Sequence, residues 1–154
     1  MLTVATVTTG GPMSEATEPQ GTAFHQSLGL RWRFPDRAVV VSLELRDDMR
    51  GPAGALEGGI VSTLIDVAGA SVAAGETGRL VVTTQMSISF LAPGRVGPIT
   101  AIGRTLRVGR DDVVSEVRVT DEGNDDRLVA SGLVTLKLAG DLPKGYGRRS
   151  EPAA

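Results

Sequence analysis

The residues most able to do chemistry sit in one stretch, Leu56 to Ala74. Asp66 lies in the middle of an otherwise apolar run there, with Ile60, Val61, Leu64, Val67, Ala68 and Val72 at helical spacing. An ionised carboxylate in such a helix is costly to bury unless it is paired or has a task. Ser62, Thr63 or a neighbouring chain could satisfy it. Eight and seven residues earlier stand Gly58 and Gly59, at the start of the run. A helix start offers unpaired N–H groups and a partial positive charge. Glycines there leave those groups open to a carbonyl oxygen, although paired glycines can also serve only to turn a loop into a helix. Glu57 just before them either complements the helix dipole or is a second functional carboxylate. Asp66 and Gly58 are separated by about 12 Å along one helix at ~1.5 Å per residue. One carbonyl cannot touch both from the same helix.

Composition narrows the chemistry further. The chain has 154 residues, enough for one domain with a sizeable core. It holds no cysteine and one histidine, His25. Thiol nucleophiles, disulfides and multi-histidine metal sites are therefore excluded, and no metal or cofactor is expected. There is no G-x-S-x-G elbow for a serine hydrolase. A net charge of -2 argues against a general nucleic-acid binder. The apolar run is broken by Asp66 and reads as too short for a membrane span. No basic-then-apolar leader is visible, so a cytoplasmic location is expected, away from membranes.

The elements that must position these residues follow from periodicity. Residues 1–20 read as a flexible leader, 21–140 as the folded domain and 141–154 as a loose tail. A short helix is predicted over Thr22 to Leu28, with His25 as a lid or surface residue. Strands are predicted at Leu30–Phe34 and Ala38–Arg46, then the long helix, with Gly75 just past its end. Four more strands follow, at Leu80–Leu91, Ile99–Val108, Val113–Thr120 and Leu128–Leu138. Strict alternation would put Met86, Ile88 and Phe90 on one face and Thr83, Gln85, Ser87 and Ser89 on the other. It would also put Arg104 and Arg107 on opposite faces. Short turns make neighbours antiparallel, so the fold class is α+β: one long helix against a curved antiparallel sheet.

This order, with Gly58-Gly59-Ile60-Val61-Ser62-Thr63-Leu64-Ile65-Asp66, Gln85-Met86-Ser87-Ile88-Ser89-Phe90-Leu91-Ala92-Pro93 and Val129-Ala130-Ser131-Gly132, resembles the hotdog fold. More narrowly it is similar to acyl-CoA thioesterases of the phenylacetate-pathway and 4-hydroxybenzoyl-CoA type. The resemblance implies hydrolysis of an acyl-CoA thioester to acid and CoA. It implies Asp66 as general base or nucleophile, the Gly58 N–H as the group polarising the carbonyl, and Thr83 as a hydroxyl that helps place the water. Gly59 and Ser62 would line the substrate. Arg107 and Arg110 could hold CoA phosphates. It also implies a homodimer, or a dimer of dimers (a homotetramer), in which Asp66 of one protomer faces Gly58 of the other. Two positions depart from the family pattern: its histidine is Glu57 here and its loop asparagine is Gly51. The alternative is a non-catalytic acyl-CoA-binding or regulatory protein of the same fold.

Overall fold

A computed structural model describes residues 21–142. The leader and all but the first two residues of the tail lie outside this range. The chain folds as α1 (Ala23–Ser27), β1 (Arg31–Arg33), β2 (Val39–Leu43), α2 (Gly58–Thr77), β3 (Arg79–Phe90), β4 (Ile99–Val108), β5 (Asp112–Asp121) and β6 (Arg127–Asp141). The six strands form one antiparallel sheet in the order β1-β2-β4-β5-β6-β3. The helix α2 packs on one face of it, as the periodicity requires. Strand β6 carries the domain to Asp141, one residue past the expected boundary.

Val39, Val41 and Leu43 on β2, Ile99 and Ala101 on β4, Val113, Val117 and Val119 on β5, and Val134 and Leu136 on β6 bury against Leu64, Ile65, Ala68 and Val72 of α2. The approach is close because small residues line both sides. At Gly103 a methyl group would lie 2.6 Å from the Ala68 carbonyl oxygen, so strand backbone rests directly on helix backbone. Trp32 of β1 seals the far side, its Nε1–H donating to Ser71 Oγ at 3.2 Å, with both residues buried.

The helix runs past Gly75, where the sequence reading stopped it. Gly75 is tolerated inside the last turn, and the chain leaves the helix at Gly78, whose φ of 66° is left-handed. The Gly78 N–H donates to the Ala74 carbonyl at 2.9 Å, closing that end. At 20 residues, α2 has the length and apolarity of a membrane span, longer than the sequence pattern predicts. Its apolar surface is taken up by the chain's own sheet, as in the core helix of a globular fold.

Three strands break alternation; β6 does so at Val129 and Ala139, and the breaks in β3 and β4 bear on the predicted site residues. In β3 the pairing Thr83↔Leu136 is followed by Gln85↔Thr135, so Thr84 is an extra residue. In β4, Thr105↔Ser115 is followed by Arg107↔Val114, so Leu106 is extra. Each bulge reverses the faces beyond it. Thr83 therefore shares the helix face with Met86, Ile88 and Phe90, contrary to the strict alternation. Arg104 and Arg107 share the outer face, again contrary to it.

Candidate functional site

The sheet does not enclose α2 equally along its length. From Val67 to Ala74 the helix is buried on every side, whereas Gly59, Ser62, Thr63 and Asp66 are exposed or half-buried. These four recur at i, i+3, i+4 and i+7, so they form one open stripe over the first turns. Asp66 stands at its inner end. Thr83 Oγ1 donates to Asp66 Oδ1 at 2.6 Å. The partner is thus a strand hydroxyl, reached only because the Thr84 bulge leaves Thr83 on the helix face. Ser62 and Thr63 do not satisfy the carboxylate. Their hydroxyls donate back to the Gly58 and Gly59 carbonyls, each at 2.9 Å.

At the outer end of the stripe, Glu57 is the residue before the first helical turn, and its carbonyl accepts from Ile60 and Val61. Its exposed side chain makes no capping bond. Instead the carboxylate leans over Gly51: a methyl group there would meet Glu57 Oε1 at 2.8 Å. The two positions that depart from the family pattern are therefore in contact, and the glycine leaves room for the acid. The Gly58 and Gly59 N–H groups are the first of the helix, the ones its own ladder leaves over. Gly58 borders an apolar cleft of about 390 Å³, whose walls include Leu56, Val61, Phe90, Leu91 and Val129. Phe90 and Leu91 are each more than half exposed, on a strand that ends beside the helix start. The sequence reading quoted these residues as a motif but gave them no role. Exposed apolar residues at a strand end beside a helix start are the signal that could have found them.

His25 is buried, not a surface residue. It closes a capping box, its own N–H donating to Thr22 Oγ1 and its Nδ1 accepting from the Thr22 N–H. Burial lowers its pKa, and the opposing pull of the Asp66 charge only partly offsets this. It stays neutral at pH 7.

Arg107 and Arg110 are not brought to Asp66 within the chain. Val113, at the far end of β5, pairs with Leu136, which pairs with Thr83. The β4 end thus lies three strands across from Thr83, roughly 14 Å at ~4.8 Å per strand. Arg107 is also engaged with Asp112, Nη1 to Oδ1 at 3.2 Å. Arg110 is exposed in the following turn. Among the described residues no group of three or more His, Asp or Glu side chains could hold a metal.

Comparison with known proteins places this arrangement. Residues 53–127, which span the helix start, Asp66 and Thr83, match the model of the thioesterase superfamily. A 1,4-dihydroxy-2-naphthoyl-CoA hydrolase of Listeria monocytogenes is 31% identical over 87 residues, covering 54% of this chain and 70% of that protein. A protein of Saccharolobus solfataricus named as an esterase is 32% identical over 84 residues; the chain spans 60% of its length. Among solved structures, a conserved protein of Pseudomonas aeruginosa is 27% identical with a TM-score of 0.72, over 80% of this chain and 99% of that one. The PaaI protein of the phenylacetic acid degradation operon of E. coli shares the fold, at 23% identity and a TM-score of 0.70, over 78% of this chain and 86% of its own. The chain belongs to the thioesterase superfamily, a superfamily of thioester hydrolases. Its long helix α2 against a six-stranded antiparallel sheet is the hotdog fold of that superfamily.

Proposed function

We propose that the protein hydrolyses an acyl-CoA thioester to the free acid and CoA, in a site shared between two protomers. The observation that carries this reading is Asp66, held by Thr83 at 2.6 Å on the open stripe over the first turns of α2. Thr83 occupies one lone pair of Oδ1 and fixes the side chain, leaving Oδ2 for water or for the thioester. Eight residues separate Asp66 from Gly58, so the group that polarises the carbonyl comes from a second copy, antiparallel across a twofold axis. The apolar cleft beside Gly58 suits an acyl group.

As a general base, Asp66 takes a proton from water while the water oxygen attacks the thioester carbon. The carbonyl oxygen gains negative charge against the Gly58 N–H of the partner protomer. The tetrahedral intermediate then breaks its C–S bond, and the CoA sulfur leaves with the proton that Asp66 took. As a nucleophile, Asp66 would attack the carbon itself, expel the thiolate and form an anhydride that water opens. Arg107 and Arg110 are the cations offered to CoA phosphates. Glu57, beside the helix start, opposes charge on a carbonyl oxygen there, and this favours the second reading: acyl-CoA binding without turnover.

The test is free-thiol release from short, medium, long and aromatic acyl-CoAs by the wild type and by Asp66→Asn. Turnover that falls at least about 100-fold in the folded variant supports the reading. Turnover that survives moves the chemistry to Glu57. Saturable binding with no turnover of any substrate favours the binder. A single turnover in ¹⁸O water that labels Asp66 would identify it as the nucleophile, its anhydride opened at the Asp66 carbonyl carbon.

A further inference from the structure

One wall of the cleft is built from Leu91, Ala92, Pro93 and Gly94, the first half of the connection between β3 and β4, residues 91–98. Such a connection has no ladder of its own, so its shape depends on what its N–H groups find. Leu91 and Ala92 both donate to the Val129 carbonyl, at 2.8 and 3.1 Å. Further along, the N–H groups of three successive residues converge on one side chain. Asp121 Oδ2 accepts from the N–H of Arg95 at 2.7 Å and of Val96 at 3.0 Å, and Oδ1 accepts from Gly97 at 2.7 Å. Asp121 is fully buried at the end of β5.

The connection in turn holds the chain entering α2. The Gly94 carbonyl accepts from the Leu56 N–H at 2.9 Å, two residues before Gly58. Arg50 Nη1 donates to the carbonyls of both Gly54 and Arg95, at 2.9 and 3.0 Å. Arg95 Nη1 donates back to the Ala53 carbonyl at 3.0 Å. Two loops distant in sequence are thus laced together on either side of the cleft, and the lacing is anchored on Asp121.

We propose that Asp121 is a positioning residue that fixes the width of the acyl cleft and the placement of the Gly58 backbone. This inference rests on the acyl-CoA reading for its catalytic consequence. Burial alone would raise the Asp121 carboxyl, but the three backbone donations together with the nearby Arg50 charge outweigh it and hold it below the usual carboxylate range. The carboxylate is therefore charged throughout the neutral range, and its hold on the loop is permanent. Asparagine has the same shape but only one acceptor oxygen, and its NH2 would meet a backbone N–H.

The experiment has two arms. In Asp121→Asn, amide hydrogen exchange should quicken at least tenfold at 95–97 and also at Leu56 to Val61. Quickening confined to 95–97, with the helix start unchanged, would overturn the proposal without reference to activity. In the kinetic arm, KM for the preferred acyl-CoA should rise about tenfold, discrimination against a thioester two carbons shorter should fall by a similar factor, and kcat should fall with the displaced Gly58 N–H. Thr100→Val is the control. It removes the 2.7 Å Thr100–Glu122 bond at the same end of the sheet without freeing a loop N–H. Equal loss of discrimination in both variants would reduce Asp121 to a purely structural role. If Asp121→Asn does not fold, Arg50→Ala loosens the same lacing from the surface and should shift exchange and KM in the same direction. Wild-type protein without turnover would refute the acyl-CoA reading, and the exchange arm would still decide the positioning role.

Discussion

Gly103→Ala puts the contact between helix and sheet to a direct test. A methyl group there would stand 2.6 Å from the Ala68 carbonyl oxygen and 2.9 Å from its carbon, where ordinary contact begins near 3.4 Å. Both atoms are helix backbone and cannot rotate aside, so α2 and β4 must part by most of an ångström. Overpacking of this kind costs about 1–3 kcal/mol, and the absence of a flexible neighbour places this case near the upper end. At about 2–4 °C per kcal/mol for a chain of this size, the melting temperature should fall by about 5–10 °C. Gly69→Ala is the comparison, because its added methyl would meet Val134 side-chain carbons, the nearest at 2.8 Å. A side chain can give way, so the loss should be about half as large. Ala68 is two residues beyond Asp66, so the same displacement should lower turnover disproportionately; a misplacement of about 1 Å can cost ~100-fold. Thermal unfolding followed by circular dichroism, beside the thiol-release assay, measures both. A Gly103→Ala protein that melts within about 2 °C of wild type would refute the packing argument.

Two further predictions use the same assays. Gly59→Ala meets nothing within 4 Å and replaces a glycine inside a helix, so it should stabilise the fold by up to about 1 kcal/mol. If the thioester approaches the helix start, the same variant should lose at least about tenfold in kcat/KM; unchanged efficiency would remove Gly59 from the site. His25, whose pKa is lowered by burial against the pull of Asp66, contributes stability that is complete above pH 6.5 and is lost as pH falls below that value. His25→Gln should therefore show a shallower decline in melting temperature between pH 7 and 5, and parallel curves would refute the burial argument.

The hydrophobic periods made the long helix and the number of strands legible. These are local signals, carried by neighbours a few positions apart. The order of the strands in the sheet was not legible: the short connection after β3 suggests β4 as its neighbour, whereas β3 pairs with β6 at the edge and β4 lies between β2 and β5. The residues that break the period were not legible. Thr84 and Leu106 are extra only relative to β6 and β5, and a strand does not announce its partner's register. Hence alternation alone puts Thr83 on the face away from Met86, Ile88 and Phe90, and separates Arg104 from Arg107, where the fold unites each set. Gly75 looked like a helix end because glycine often is one, but the cap is set by which glycine can take the left-handed conformation where β3 begins, and that is Gly78. Asp66 stood out because a charge in an apolar run is conspicuous. Asp121 did not, because a carboxylate at a strand end reads as solvated until three N–H groups are found pointing at it.

The extra residue in β3 has a consequence for how this chain can change length. Upstream of Thr84 the strand delivers a hydroxyl to the acid; downstream it delivers an aromatic ring to the cleft. The two halves are out of phase by one residue, and the bulge is the joint that reconciles them. Deleting Thr84 would restore a regular strand and force a choice: either Thr83 leaves Asp66 or Phe90 turns its ring to the opposite face. Substitutions along β3 can therefore accumulate one at a time, but a loss or gain of a single residue between positions 83 and 90 divides the acid from the cleft it would serve.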